Sequence, residues 1–265
     1  MASNVGLRSE RGPILLSLML ATFLIAIDAT ILSTAVPTIV RELGGFALFP
    51  WLFSIYLLAQ AASVPVYGKL ADTVGRKPIM FVGVGLFLLG SILCGSAWDM
   101  TSLIVFRAVQ GLGAGAIMPM TLTISGDIYT VRERAQAQGY IASVWAVSSV
   151  AGPSLGGLFA QFVSWRWIFW VNIPLALLTA WILWTRYHGR VERHRRRIDY
   201  AGSMLLTVAL VLLVLGVLEG GHAWPWASWQ TAAAFGGGFA LLVAFWFAER
   251  VADHPVLPPW VFRSR

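Results

Sequence analysis

A chain of 265 residues with 58% hydrophobic and only 12% charged residues, and a mean hydropathy of +0.74, carries more apolar surface than one water-soluble core can hide. The formal net charge of +7 would suggest nucleic acid in a soluble protein, but in a membrane chain it follows from topology, so no nucleic-acid partner is expected. The single Cys94 excludes an intrachain disulfide and a cysteine-built metal cluster, and no cofactor is expected.

Residues 1–12 are short and polar, with Arg8 and Arg11, and the apolar run behind them is too long for a signal-peptide core. That run, 13–36, is the first of eight apolar stretches close to the length that crosses about 30 Å of hydrocarbon. The others are 51–67, 79–98, 101–124, 139–162, 168–187, 201–218 and 229–248. Helices are expected throughout, because a spanning segment must satisfy its own backbone and no alternating barrel pattern appears. The predicted architecture is an all-α polytopic membrane protein of about eight transmembrane helices.

Between the second and third runs lies a charged turn, 68–78, holding Lys69, Asp72, Arg76 and Lys77. It is too short to cross a bilayer, so its flanking spans are antiparallel neighbours. With the N-terminus inside, the inner segments collect Arg8, Arg11, Lys69, Arg76, Lys77, Arg132, Arg134, Arg186 and the basic run that includes Arg193 to Arg197. Only Arg41 and Arg166 fall in outer loops, and this asymmetry predicts a cytoplasmic N-terminus. The run at 193–197 reads as a topology anchor, with attraction to anionic lipid as the alternative. Trp51, Trp98, Trp165, Trp167, Trp170, Trp224, Trp226 and Trp229 sit where an interfacial aromatic belt belongs, and 220–226 reads as a turn between the last two spans.

Asp28 and Arg107 are the ionisable residues well within spans, where charge is costly unless paired or wetted. Asp28 stands roughly 13 Å and Arg107 roughly 9 Å from the outer ends of their helices, so direct or water-mediated pairing is sterically open. Arg107 has an alternative, to snorkel to the outer interface; the short Asp28 does not. Burial and a neighbouring arginine push the proton affinity of such a carboxyl in opposite directions, which suits a group that loads and releases a proton. Gly111, Gly113 and Gly115 in the fourth span, and Gly152 and Gly156 around Pro153 in the fifth, are spaced for close helix packing.

Together these segments resemble the major facilitator superfamily. Gly68, Asp72, Gly75, Arg76 and Lys77 resemble its G-x-x-x-D-x-x-G-R-K signature between spans two and three. Arg107, Gln110, Gly111 and Gly113 resemble its fourth-span R-x-x-Q-G-x-G. Gly152, Pro153, Gly156 and Gly157 resemble the fifth-span G-P-x-x-G-G of its antiporter branch, with Ser148 where a glycine often begins the motif, a departure expected to loosen one helix contact. Residues 27–31 and 35–37 look like the first-span signature of the fourteen-span drug:proton antiporters, and 195–202 and 253–263 are similar to further segments of that branch.

The resemblance implies a six-span half over 13–187 behind a cytoplasmic segment 1–12, a basic linker at 188–200, a two-span hairpin over 201–248 and a tail at 249–265 leading to a second half that the sequence does not contain. In that setting Asp28 answers to protons or cationic drugs, Arg107 assists proton transfer, and Gly152, Pro153 and Gly156 shape a bend. Asp72 latches onto a helix end of the other half, while Arg76 has a local candidate partner in Asp127. The partners implied are a lipophilic, cationic compound, protons, membrane lipids and the second six-span half, in the plasma (inner) membrane. The rival readings are an uptake carrier or uniporter on the same fold and a non-transporting membrane subunit. Enzyme chemistry is not expected, since His188, His194, His222 and His254 are scattered in loops without a nucleophile and base at usable spacing.

Overall fold

A computed structural model describes residues 5–187, 200–221 and 223–251. The predicted linker apart from Tyr200, the tail from residue 252 onward and all four histidines lie outside the described residues. The described backbone is helical: α1 (Gly12–Leu43), a 3-10 turn (Phe46–Leu48), α2 (Trp51–Val74), α3 (Arg76–Gly95), α4 (Met100–Ile128), α5 (Val131–Phe162), α6 (Trp167–Trp170), α7 (Asn172–Arg186), α8 (Tyr200–Glu219) and α9 (Trp229–Val251). Seven stretches among the described residues are long and apolar enough to cross a membrane, and α8 adds a shorter apolar helix over Met204–Glu219. No strand occurs among the described residues, only an isolated bridge between Gly220 and Trp224 in the turn before α9.

Several helices outrun their apolar cores. Helix α1 continues through Pro37 to Leu43, and α5 begins at Val131, eight residues before its apolar run. The charged turn expected at 68–78 is mostly helical: α2 carries Gly68, Lys69 and Asp72 to Val74, and α3 resumes at Arg76. Only Gly75 interrupts, at φ 102°, a conformation glycine adopts without the Cβ clash that other residues meet. Lys69 and Asp72 mark the end of the apolar run, not the end of the helix. The sixth span, Trp167–Arg186, has a one-residue irregularity at Val171 between α6 and α7, where Pro174 gives no N–H to the Trp170 carbonyl four residues earlier, while the backbone stays helical at φ −61°, ψ −23°.

Helix α4 lies between α2 and α3 and also meets α1, which in turn packs on α5 and α7; α8 lies against α2 and pairs with α9. Glycines set the closest approaches. A Cβ on Gly111 would strike the Tyr56 carbonyl of α2, one on Gly113 the Phe87 amide of α3, and one on Gly90 would come within 2.5 Å of the Gln110 backbone. On the other side of α1, Gly152 and Gly156 of α5 face Thr30 and Thr34. Thr30 Oγ1 lies 3.0 Å from the backbone carbonyl of Ser148, which is fully buried at the α1–α5 contact. Gly68 and Gly157 have no neighbour that a Cβ would touch.

Of the tryptophans read as an interfacial belt, Trp98, Trp167, Trp226 and Trp229 are exposed, Trp98 at 72%, and Trp51, Trp170 and Trp224 are half-buried. Trp165 is the exception. It is 0% exposed, its Nε1 donates to Glu42 at 2.8 Å, and Arg166 ion-pairs with the same carboxylate, so it belongs to an outer clasp between α1 and the α5–α6 connection.

Candidate functional site

The charged pair forms where α1 and α4 cross. Asp28 and Arg107 are each 1% exposed, and Arg107 Nη1 donates to Asp28 Oδ2 at 2.6 Å. Arg107 therefore points into the bundle and does not snorkel. Its Nε donates to the Leu52 carbonyl at 3.1 Å, and its guanidinium lies 4.2 Å from the centroid of the Tyr56 ring. Two contacts from α2 thus hold the cation in place, one by charge-assisted hydrogen bonding and one through the ring quadrupole.

Gln110, one turn after Arg107, completes the carboxylate's shell. Its Nε2 donates to Asp28 Oδ1 at 2.8 Å while its Oε1 accepts from Arg107 Nη1 at 2.7 Å. Both carboxylate oxygens are thereby engaged, and the amide bridges anion and cation. The same Nε2 lies 2.8 Å from Ser91 Oγ of α3, Asn172 Nδ2 of α7 donates to that Oγ at 3.2 Å, and Cys94 Sγ approaches Gln110 Oε1 at 3.8 Å. Five helices contribute to one buried polar cluster. Isolated in hydrocarbon, either charge would be costly; paired and hydrogen-bonded, they persist together.

Sequence reasoning singled out Asp28, Arg107 and Gln110 but not Tyr56, Ser91 or Asn172. Asn172 left a faint signal, as the one side-chain amide within the run 168–187; Ser91 left none.

At the opposite end of α4 the charged motif gathers a second group. Arg76 ion-pairs with Asp127, and Lys77 Nζ donates to the carbonyls of Trp184 and Tyr187 at 3.1 and 2.5 Å, capping α7 with positive charge. Arg11 pairs with Glu133 at 3.1 Å, and Arg134 donates to the Gly126 carbonyl at 2.6 Å. Asp72 is exposed and has no hydrogen bond or ion pair among the described residues. An open depression of about 430 Å³ on α5 is lined by Gln136, Gly139, Tyr140 and Ser143. No group of three potential metal ligands occurs among the described residues.

At the outer end, Asp99 caps α4: its carboxylate accepts from the Ser102 amide at 2.6 Å, and Ser102 Oγ accepts from the Asp99 amide at 3.2 Å. The bond from the Ser102 backbone holds the Asp99 carboxyl below the usual aspartate value, with the Ser102 hydroxyl adding to it.

A family model described as "Major Facilitator Superfamily" matches residues 18–199. "Multidrug transporter protein MdtP" of Bacillus subtilis (strain 168) is 36% identical over 263 residues, 99% of this chain and 49% of the relative. "Multidrug resistance protein 3" of the same organism is 37% identical over 95% of this chain and 49% of the relative. "Efflux pump FUS6" of Gibberella moniliformis is 40% identical over 95% of this chain and 46% of its own length. The chain spans about half the length of the curated relatives it matches.

Proposed function

We propose that this chain, which belongs to the Major Facilitator Superfamily, takes part in the proton-coupled efflux of lipophilic, cationic compounds by alternating access, with Asp28 as the group that exchanges the proton. The names of the relatives, multidrug transporters and efflux pumps, support the export of drug-like compounds. The observation that carries the coupling role is the sealed Asp28–Arg107–Gln110 cluster.

The physical reason is a competition. A proton on Asp28 cancels the carboxylate that balances Arg107, leaving the guanidinium uncompensated among apolar side chains. The pair and the proton therefore exclude one another, and taking up a proton loosens α1 from α4 at their crossing. Losing it restores the pair and draws the helices together again. A proton equilibrium that biases two helix arrangements is what an antiporter needs to join proton entry to substrate exit. The motif residues Arg76, Lys77 and Asp127 tie the inner ends of α3, α4 and α7 together during that exchange, and exposed Asp72 is the candidate contact to a second six-span half. Gly152 and Gly156, either side of Pro153, seat α5 against α1, and Gly157, with nothing in reach of a Cβ, is on the open side left for that half. The same reading puts the N-terminus and the Gly75 break on the cytoplasmic side of the plasma (inner) membrane.

The test is efflux of a cationic dye driven by an imposed proton gradient in membrane vesicles carrying the protein. Asp28→Asn, which keeps shape and hydrogen bonding but not titration, should collapse gradient-driven efflux; coupled efflux at the wild-type rate would refute the role.

A further inference from the structure

The buried cluster extends past the three residues that carry charge or bridge it. Ser91 Oγ of α3 lies 2.8 Å from Gln110 Nε2, and Asn172 Nδ2 of α7 donates to that same oxygen at 3.2 Å. Ser91, Gln110 and Asn172 are all 0% exposed. Asn172 Oδ1, however, is buried without a hydrogen-bond partner among the described residues. An unpaired amide oxygen in a dry interior is unfavourable, so packing alone would favour a leucine of similar volume here. What the asparagine adds is its donor to Ser91.

We infer that Ser91 and Asn172 are positioning residues that fix the Gln110 amide with its Nε2 toward Asp28, and so tune the proton exchange without touching the carboxylate. Gln110 Nε2 has two hydrogens, and the two acceptors at 2.8 Å, Asp28 Oδ1 and Ser91 Oγ, use both. Ser91 is held in turn by Asn172. The amide cannot turn over without presenting its oxygen to the carboxylate and its nitrogen to Arg107. This chain also links proton exchange to the sixth span, because Asn172 is the first residue of α7.

The titratable and charged groups facing Asp28 are Arg107 of α4, Tyr56 of α2 and Cys94 of α3. The parts of α5 and α7 packed nearby contribute no titratable side chain. A change seen on removing Ser91 or Asn172 therefore reports on the hydrogen-bond chain and not on a lost charge.

The inference takes from the proposed function only that Asp28 exchanges a proton. The experiment is an infrared pH titration of the 265-residue chain in lipid nanodiscs, following the carboxyl band that Asp28→Asn removes, with thermal unfolding measured in parallel. Ser91→Ala and Asn172→Leu should each move the pH at which that band appears upward by about half to one unit, the size expected for weakening one hydrogen bond to a charged group. Gln110→Leu should move it further in the same direction, and Ser91→Thr should leave it where it is in wild type. Asn172→Leu should unfold no earlier than wild type, which separates positioning from a merely structural role. An unmoved band in both Ser91→Ala and Asn172→Leu, with Gln110→Leu shifted, overturns the positioning role alone. A wild-type spectrum with no pH-dependent band attributable to Asp28 overturns proton exchange and this inference with it.

Discussion

Arg107 ties α4 to α1 and α2 at one buried point. Removing it as Arg107→Ala leaves the Asp28 carboxylate buried with Gln110 as its remaining partner, and breaking a buried pair from one side costs about 3–5 kcal/mol. Chemical unfolding in detergent should register that loss, and adding Asp28→Asn should recover much of it, since the uncompensated charge goes. Arg107→Lys should fall between, because an ammonium cannot span Leu52, Asp28 and Gln110 together. Asp28 and Arg107 were legible in the sequence because charge within an apolar run is conspicuous. Ser91, Tyr56 and Asn172 were not, since uncharged polar residues are ordinary in membrane helices and hydropathy does not say which helix faces which.

The helices were legible as apolar runs, but their ends were not, and the reason is physical. Hydropathy marks where hydrocarbon ends, whereas a helix ends where its backbone is interrupted, as at Gly75, or capped, as at Asp99. The Asp99 cap has a pH signature. Its carboxyl titrates lower in the folded protein than in the unfolded chain, so its stabilisation is complete above the unfolded value and fades as pH falls through the folded one. Asp99→Asn should flatten the acid limb of a thermal-stability profile and change little near neutrality. The glycine seams separate in the same way. Gly113→Val would drive side-chain atoms into the α3 backbone and should cost about 1–3 kcal/mol or prevent assembly, whereas Gly157→Ala, with nothing in reach, should stay within about 0.5 kcal/mol of wild type in the same unfolding assay.

At the scale of the molecule, the ion pairs among the described residues fall into three levels: a clasp at Glu42, Trp165 and Arg166, the buried cluster, and the pairs Arg76–Asp127 and Arg11–Glu133. The first and last of these are partly solvated, so each pair there contributes far less than the buried one. Arg76→Asp and Asp127→Arg should each weaken the inner end, and the double reversal should restore stability or activity; a double variant no better than either single one would show that the pair does not act as a unit. Orientation can be read directly. In a Cys94→Ala background, Lys69→Cys should react with an impermeant thiol reagent only from the cytoplasmic side, and Trp98→Cys only from outside. The antiparallel order of the first six spans was legible because charged and turn-forming residues recur at intervals set by membrane thickness. The pairing of helices was not, because in lipid it rests on small residues whose partners lie elsewhere in the chain.

One feature of that pairing has a mechanical side. Thr30 and Thr34 of α1 meet Gly152 and Gly156 of α5, two residues one turn apart facing two others at the same spacing. Because both spacings match, sliding α1 off this register would move both threonines away from the two positions on α5 that lack a Cβ facing them, and the seam resists axial slip like a short rack. Thr30 is two positions from Asp28, so this seam lies on the same stretch of α1 as the buried acid.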